Sequence, residues 1–140
     1  WERADGIVSF VNYSESIYVG YRFYETADQE NLIDYDDTVL YPFGYGLTYT
    51  EFAYSNLSVQ MADPCHIEIS FDVKNIGECV SDEVVQIYAS APKSRVPKPR
   101  RQLLAFERLY DILPQETRHV TKRVNARFCE TYDNMEERHD

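Results

Sequence analysis

Chemistry in this 140-residue chain would have to come from twenty-four carboxylates, three histidines and three cysteines, and none of them falls into a spacing that a reaction requires. His66, His119 and His139 are scattered, without the spacing of a metal site and without a nucleophile beside them. Cys65, Cys79 and Cys129 are odd in number and lack a Cys-x-x-Cys pair, so they read as reduced, partly buried thiols rather than a disulfide framework or a zinc site. Glu15, just ahead of the apolar run IYVGY at residues 17–21, is the acidic residue whose place most invites a proton-donor reading. A surface or interdomain role is the preferred reading of it, because carboxylates at this density meet by chance. The stretch ETADQENLIDYDD, residues 25–37, holds six carboxylates and no cation. It lacks the turn glycine of a calcium loop and reads as a hydrated connector. Opposite in sign is APKSRVPKPRR, residues 91–101, where Lys93, Arg95, Lys98, Arg100 and Arg101 stand among three prolines. That composition excludes a central strand and describes a long, exposed, solvated loop.

The remaining conspicuous stretch is LYPFGYGLTYTEF, residues 40–52, with five aromatic rings and two glycines in thirteen positions. Aromatic surfaces bind sugars and bases, and they also cement domains together. The elements around it decide between these uses. From residue 53 onward short strands alternate with turn signals. In HIEISFDVKNIGE, Ile67, Ile69, Phe71 and Val73 alternate with Glu68, Ser70, Asp72 and Lys74, and Asn75-Ile76-Gly77 closes the strand. Period two of this kind buries one face. Residues 53–61 precede it as a first strand and 82–90 follow as a third, and the three read as a meander. Residues 102–109 and 118–124 add two more strands around the turn Leu113-Pro114-Gln115-Glu116-Thr117. Several short strands at this spacing predict an antiparallel β-sandwich. The run at 17–21 reads as a short strand, or as a chain lying on a partner surface.

A formal net charge of −10 would repel a phosphate backbone, which argues against nucleic acid as a partner. No apolar run approaches the length that crosses a bilayer, so no membrane partner is expected. The start WERADGIVSF has neither the basic region nor the apolar core of a leader, and the chain reads as cut from a longer protein.

These stretches, taken in order, resemble the C-terminal end of glycoside hydrolase family 3 enzymes, the β-glucosidases and β-xylosidases. The likeness runs through YSESIYVGYRFYET (13–26), LYPFGYGLTYTEF (40–52), FDVKNIGECVSDEVVQIYAS (71–90), VPKPRRQLLAFERL (96–109) and LPQETRHVTKRV (113–124), in the family's order and spacing. The family usually has Gly where Leu104-Ala105 stand, and its last strand is more apolar than RHVTKRVNARF. The resemblance implies an all-β, fibronectin type III-like antiparallel sandwich preceded by an extended segment from the end of an α/β sandwich domain. Its divisions are residues 1–39 as that segment and acidic linker, 40–52 as an aromatic junction, 53–133 as the sandwich and 134–140 as a tail.

Enzymes of the family retain configuration, which needs a nucleophilic carboxylate and an acid/base carboxyl about 5–5.5 Å apart. The family's nucleophile is an Asp in a Ser-Asp-Trp context on the N-terminal barrel. Here Ser81-Asp82 is followed by Glu83, and Trp1 is the sole Trp. The implied reading is therefore a chain without catalytic or substrate-binding residues, metal or cofactor, accessory to a parent that hydrolyses terminal β-D-glucosides or β-D-xylosides. Tyr18, Tyr21, Arg22, Tyr41, Phe43, Tyr45, Tyr49 and Phe52 are the residues expected to pack between domains. The expected partners are the catalytic domains of the same parent chain, an oligosaccharide near the parent active site and, for the isolated chain, a second copy in a homodimer. The alternative reading is an independent carbohydrate-binding or adhesive sandwich module.

Overall fold

The computed structural model describes residues 14–91, 94, 96–129, 132–133 and 138–139. Trp1, Lys93, Arg95 and much of the tail at 134–140 lie outside the described residues. Two antiparallel sheets face each other. Strands β1 (Phe52–Asp63), β2 (His66–Asn75) and β5 (Thr117–Asn125) form one, in the order β1-β2-β5, and β3 (Ser81–Ala89) pairs with β4 (Gln102–Ile112) in the other. A 3-10 turn, Ala126–Cys129, follows β5, and β6 (Tyr132–Asp133) pairs with β7 (Arg138–His139).

The alternation read in β2 is realised. Ile69, Phe71 and Val73 point into the core, where they meet Val85 and Ile87 of β3 and Val120 and Val124 of β5. Register explains the pairing: Phe71 lies opposite Val120 and Ile67 opposite Val124, so apolar positions of neighbouring strands share one face.

The first three strands do not form a meander. The edge of β2 that a meander would give to β3 is taken by β5, and β3 crosses to the second sheet. Burial is the physical reason, because a β3 lying beside β2 would leave the apolar row of β2 uncovered. On the opposite layer, Val85 and Ile87 close over it.

The extended segment expected ahead of the sandwich is also corrected: residues 21–29 form a helix, α1 (Tyr21–Gln29), and Tyr35–Thr38 forms a one-turn helix, α2. Gly20, at φ 59°, breaks the apolar run and places its carbonyl to accept from the N–H groups of Phe23 and Tyr24. The helix stops where Asn31 enters the left-handed region at φ 57°; Asn31 N–H then bonds Asp28 and Leu32 N–H bonds Ala27, the paired closure of a Schellman motif. Asp34 caps α2 by accepting from the N–H groups of Asp36 and Asp37. The acidic connector is thus two capped helical pieces. Nor are Cys65 and Cys79 partly buried: both are free and exposed, at opposite ends of β2, which keeps them far beyond bridging distance, and the Cys129 side chain lies outside the described residues.

One end of the sandwich is closed by Asn75, which is fully buried. Its Oδ1 accepts from Thr50 Oγ1 at 2.7 Å and from Gly77 N–H at 3.0 Å. Its Nδ2 donates to the carbonyls of Cys79 at 2.8 Å and Ile112 at 2.9 Å. The side chain thereby uses both of its donors and both acceptor positions. Asn75→Ala would take a partner from four groups, two of them, the Thr50 hydroxyl and the Ile112 carbonyl, buried, and we expect a loss of about 3 kcal/mol in urea unfolding. Asn75→Asp, which aims an acceptor at two carbonyls, should lose at least as much. A loss under about 0.5 kcal/mol for either would refute this account.

The opposite end is held by Asp63, whose Oδ1 accepts from Cys65 N–H at 2.8 Å and meets His66 Nδ1 at 3.0 Å, and whose Oδ2 pairs with Arg123. These partners, the Cys65 amide first, lower its pKa to about 2. A depressed carboxylate contributes stability above its unfolded value of about 3.9 and loses it as pH falls through the folded value. Unfolding followed from pH 5 to pH 2 should therefore be less acid-sensitive in Asp63→Asn than in the parent sequence.

Candidate interdomain surface

Helix α1 lies on the outer face of β3 and β4, and an ion pair fastens it there. Glu25 is 4% exposed, although it sits in the most acidic stretch of the chain. Arg101 reaches it with two parallel bonds, Nε to Oε2 and Nη2 to Oε1, each 2.6 Å. This fork geometry is the strong form of the carboxylate contact. The same guanidinium lies 4.7 Å from the centre of the Tyr88 ring, and its pKa is raised, chiefly by the bond to Glu25. Beside it, Arg100 N–H donates to Thr26 Oγ1 at 2.9 Å, and Leu103 N–H donates to Tyr21 Oη at 2.8 Å. The end of the basic loop is therefore a dock for α1, where solvated loop was expected.

The aromatic junction continues this layer. The Tyr21 ring stacks on Phe43 at 4.5 Å and meets Tyr88 edge-on at 6.0 Å. Gly44, at φ 83°, passes so close to Gln86 that an added Cβ would stand 2.4 Å from its amide, and this close approach is what the glycine permits. Phe52 packs at the margin of the core. Beyond these anchors the junction faces outward: Leu40 is 84% exposed, Leu47 89% and Tyr49 94%, while Tyr41 and Tyr45 lean on each other at 5.0 Å and stay more than half exposed. Tyr18 and Arg22 are half buried on and beside α1. Of the eight residues expected to pack between domains, the structure brings Tyr21 and Phe43 together and sets Phe52 in the sandwich. It leaves Tyr41, Tyr45 and Tyr49 on the surface.

Glu15 is exposed and lines an open groove of about 980 Å³, whose other walls include Tyr18, Val19, Phe23 and Pro97. No group of three or more His, Cys, Asp or Glu side chains among the described residues could hold a metal ion. Sequence reasoning missed Glu25, Tyr88 and Asn75. The one available signal was the coexistence of an acidic and a basic stretch, and it does not say which carboxylate meets which cation.

A sandwich of this topology, with a helical segment on its outer face, defines a fibronectin type III-like module. The family description "Fibronectin type III-like domain" matches residues 83–139. The chain is 37% identical over 126 residues to thermostable beta-glucosidase B of Acetivibrio thermocellus, covering 88% of this chain and 16% of that protein. It superposes on beta-glucosidase 3B from Thermotoga neapolitana in complex with glucose with a TM-score of 0.72 at 36% identity, over 82% of this chain and 15% of that one. On the Bifidobacterium adolescentis GH3 beta-glucosidase the TM-score is 0.76 at 28% identity, over 91% of this chain and 18% of that one. The chain belongs to glycoside hydrolase family 3, to the C-terminal region that carries the fibronectin type III-like domain. It spans between 12% and 16% of the length of the first curated relatives it matches.

The ion pair can be tested by a double-mutant cycle. Glu25→Gln and Arg101→Met, singly and together, should reveal a coupling of about 1–2 kcal/mol in urea unfolding, reduced from the value of a fully buried pair because Arg101 is 42% exposed. Additivity within about 0.5 kcal/mol would show that the pair does not fasten the helix.

Proposed function

We propose that this chain is the non-catalytic accessory end of a retaining β-glucosidase or β-xylosidase, and that its α1 and aromatic junction pack against the catalytic domains of the same parent chain. The observation that carries the reading is the exposure of Leu47 and Tyr49 on a segment whose ends are held in place, with exposed Leu40 just ahead of it. Phe43 anchors one end, and Thr50, bonded to Asn75, anchors the other. A rigid apolar strip of this kind is costly in water and marks an interaction surface.

Two features favour a protein partner over a sugar platform. The strip mixes aliphatic with aromatic side chains, and Leu40 and Leu47, among its most exposed members, offer no flat face to a pyranose ring. Tyr41 and Tyr45 are inclined at 33° to each other, so they do not present one plane. The proposed boundaries are residues 1–39 for the segment belonging to the preceding domain, 40–52 for the junction, 53–133 for the sandwich and 134–140 for the tail.

Titration of the 140-residue chain with cello- and xylo-oligosaccharides should give no binding, and a chromogenic β-glucoside should not be turned over. Tight oligosaccharide binding would replace this reading with the independent carbohydrate-binding module, and turnover abolished by Glu15→Gln would make the chain itself catalytic. In the parent, Leu47→Ser with Tyr49→Ser should lower the thermal midpoint, while in the chain alone the pair should change stability by no more than about 0.5 kcal/mol.

A further inference from the structure

Helix α1 meets the sandwich with its polar side. Glu25 forks onto Arg101, Thr26 Oγ1 accepts from Arg100 N–H, Asp28 lies 3.6 Å from the Arg100 guanidinium, and Tyr21 Oη accepts from Leu103 N–H. The apolar side points away. Phe23 is 47% exposed and Tyr24 40%, and Val19 and Leu32, which flank the helix, are 62% and 74% exposed. A helix is ordinarily held by its apolar stripe, and here that stripe is left open. These four side chains line the groove of about 980 Å³, and Pro97 and Pro99 of the basic loop line it as well.

The chain turns back at this groove. Ser14 and Glu15, its first described residues, are among those that line it. Tyr18 N–H donates to the Glu15 carbonyl at 2.9 Å, and Ser16, the first central residue of this turn, has φ 52°. A positive φ at that position marks the primed turns that join antiparallel chain segments. The turn therefore aims the chain ahead of Glu15 back along residues 18–20, toward α1.

We propose that the groove seats the chain's own residues 7–11, IVSFV, laid in extended form along the outer face of α1. The lengths agree. The nine residues of α1 rise about 14 Å, and five extended residues reach about 17 Å. Composition agrees too, since Ile7, Val8, Phe10 and Val11 leave Ser9 as the single polar side chain, and a run apolar on both faces is the pattern of a segment covered from two sides. One face rests on Phe23, Tyr24 and Leu32, and the other remains for the rest of the parent, so the catalytic domains would meet α1 through this segment. The inference goes beyond the proposed role, because both partners lie in this chain. It stands whether or not the aromatic strip meets the catalytic domains, since none of the described residues lining the groove belongs to the strip. Charge disfavours a second copy as the occupant, because two chains of net charge −10 repel each other.

The test places a photoreactive benzophenone at the Phe23 side chain of the 140-residue chain and locates the adducts by mass spectrometry. Adducts are expected within residues 7–11 of the same chain. Phe10→Asp and Val8→Asp should each speed hydrogen exchange of the α1 amides by at least about tenfold while leaving the β2 amides as they were, and the milder Phe10→Ala should do so in part. Adducts confined to other segments would overturn the proposal, as would α1 exchange unchanged by Phe10→Asp. Adducts that join two chains would give the groove to a second copy. In the parent polypeptide, adducts to the catalytic domains with none at residues 7–11 would give it to those domains, and either result overturns the proposal.

Discussion

The satisfaction of one buried amide, Asn75, holds four parts of this molecule in register. Through it the end of β2, the aromatic junction at Thr50, the 77–79 loop and the end of β4 at Ile112 meet at one point. Its backbone extends the knot, since Asn75 N–H donates to the Glu116 carbonyl and its own carbonyl accepts from Gln115. Gly77 belongs to the same constraint, because an added Cβ there would stand 2.0 Å from Thr50 Oγ1. A buried polar group in this position is costly unless every bond is made, and for that reason it selects one arrangement of the chain over its neighbours in energy.

That arrangement makes the outer layer usable. With Thr50 pinned, the junction runs back over β3, where Gly44 and Phe43 meet Gln86 and Tyr21, and α1 is brought against Tyr88 and Arg101. The Glu25–Arg101 fork then orients the helix, and the remaining apolar side chains of the junction are presented to whatever stands beyond. In the proposed role the sandwich is the base, and the helix and junction are its contact layer.

The inner face has the opposite character. The core is dense along β2 and thins toward β1, where Val59 and Met61 share the core face yet stay 60% and 64% exposed. A two-stranded sheet cannot cover a three-stranded one, since neighbouring strands are spaced about 4.8 Å apart and each covers roughly its own width. Burial of Val59 and Met61 is thus a matter of strand number, which lies beyond the reach of any side-chain rearrangement in the chain itself.

The sandwich class, the alternation of β2, the turn at residues 113–117 and the family were legible in the sequence, because period two and turn chemistry are local and the motifs are long. Phe43 and Phe52, expected to pack between domains, make contacts within the chain itself, Phe43 on Tyr21 and Phe52 at the margin of the core. The sequence did not show that β3 crosses to the other sheet, that residues 21–29 coil into a helix, or that Glu25 leaves water to meet a cation seventy-six positions away. Local patterning determines which face of an element is apolar. The choice among distant charges, sheet edges and layers is made by the three-dimensional competition to bury that face, and only the tertiary structure records its outcome.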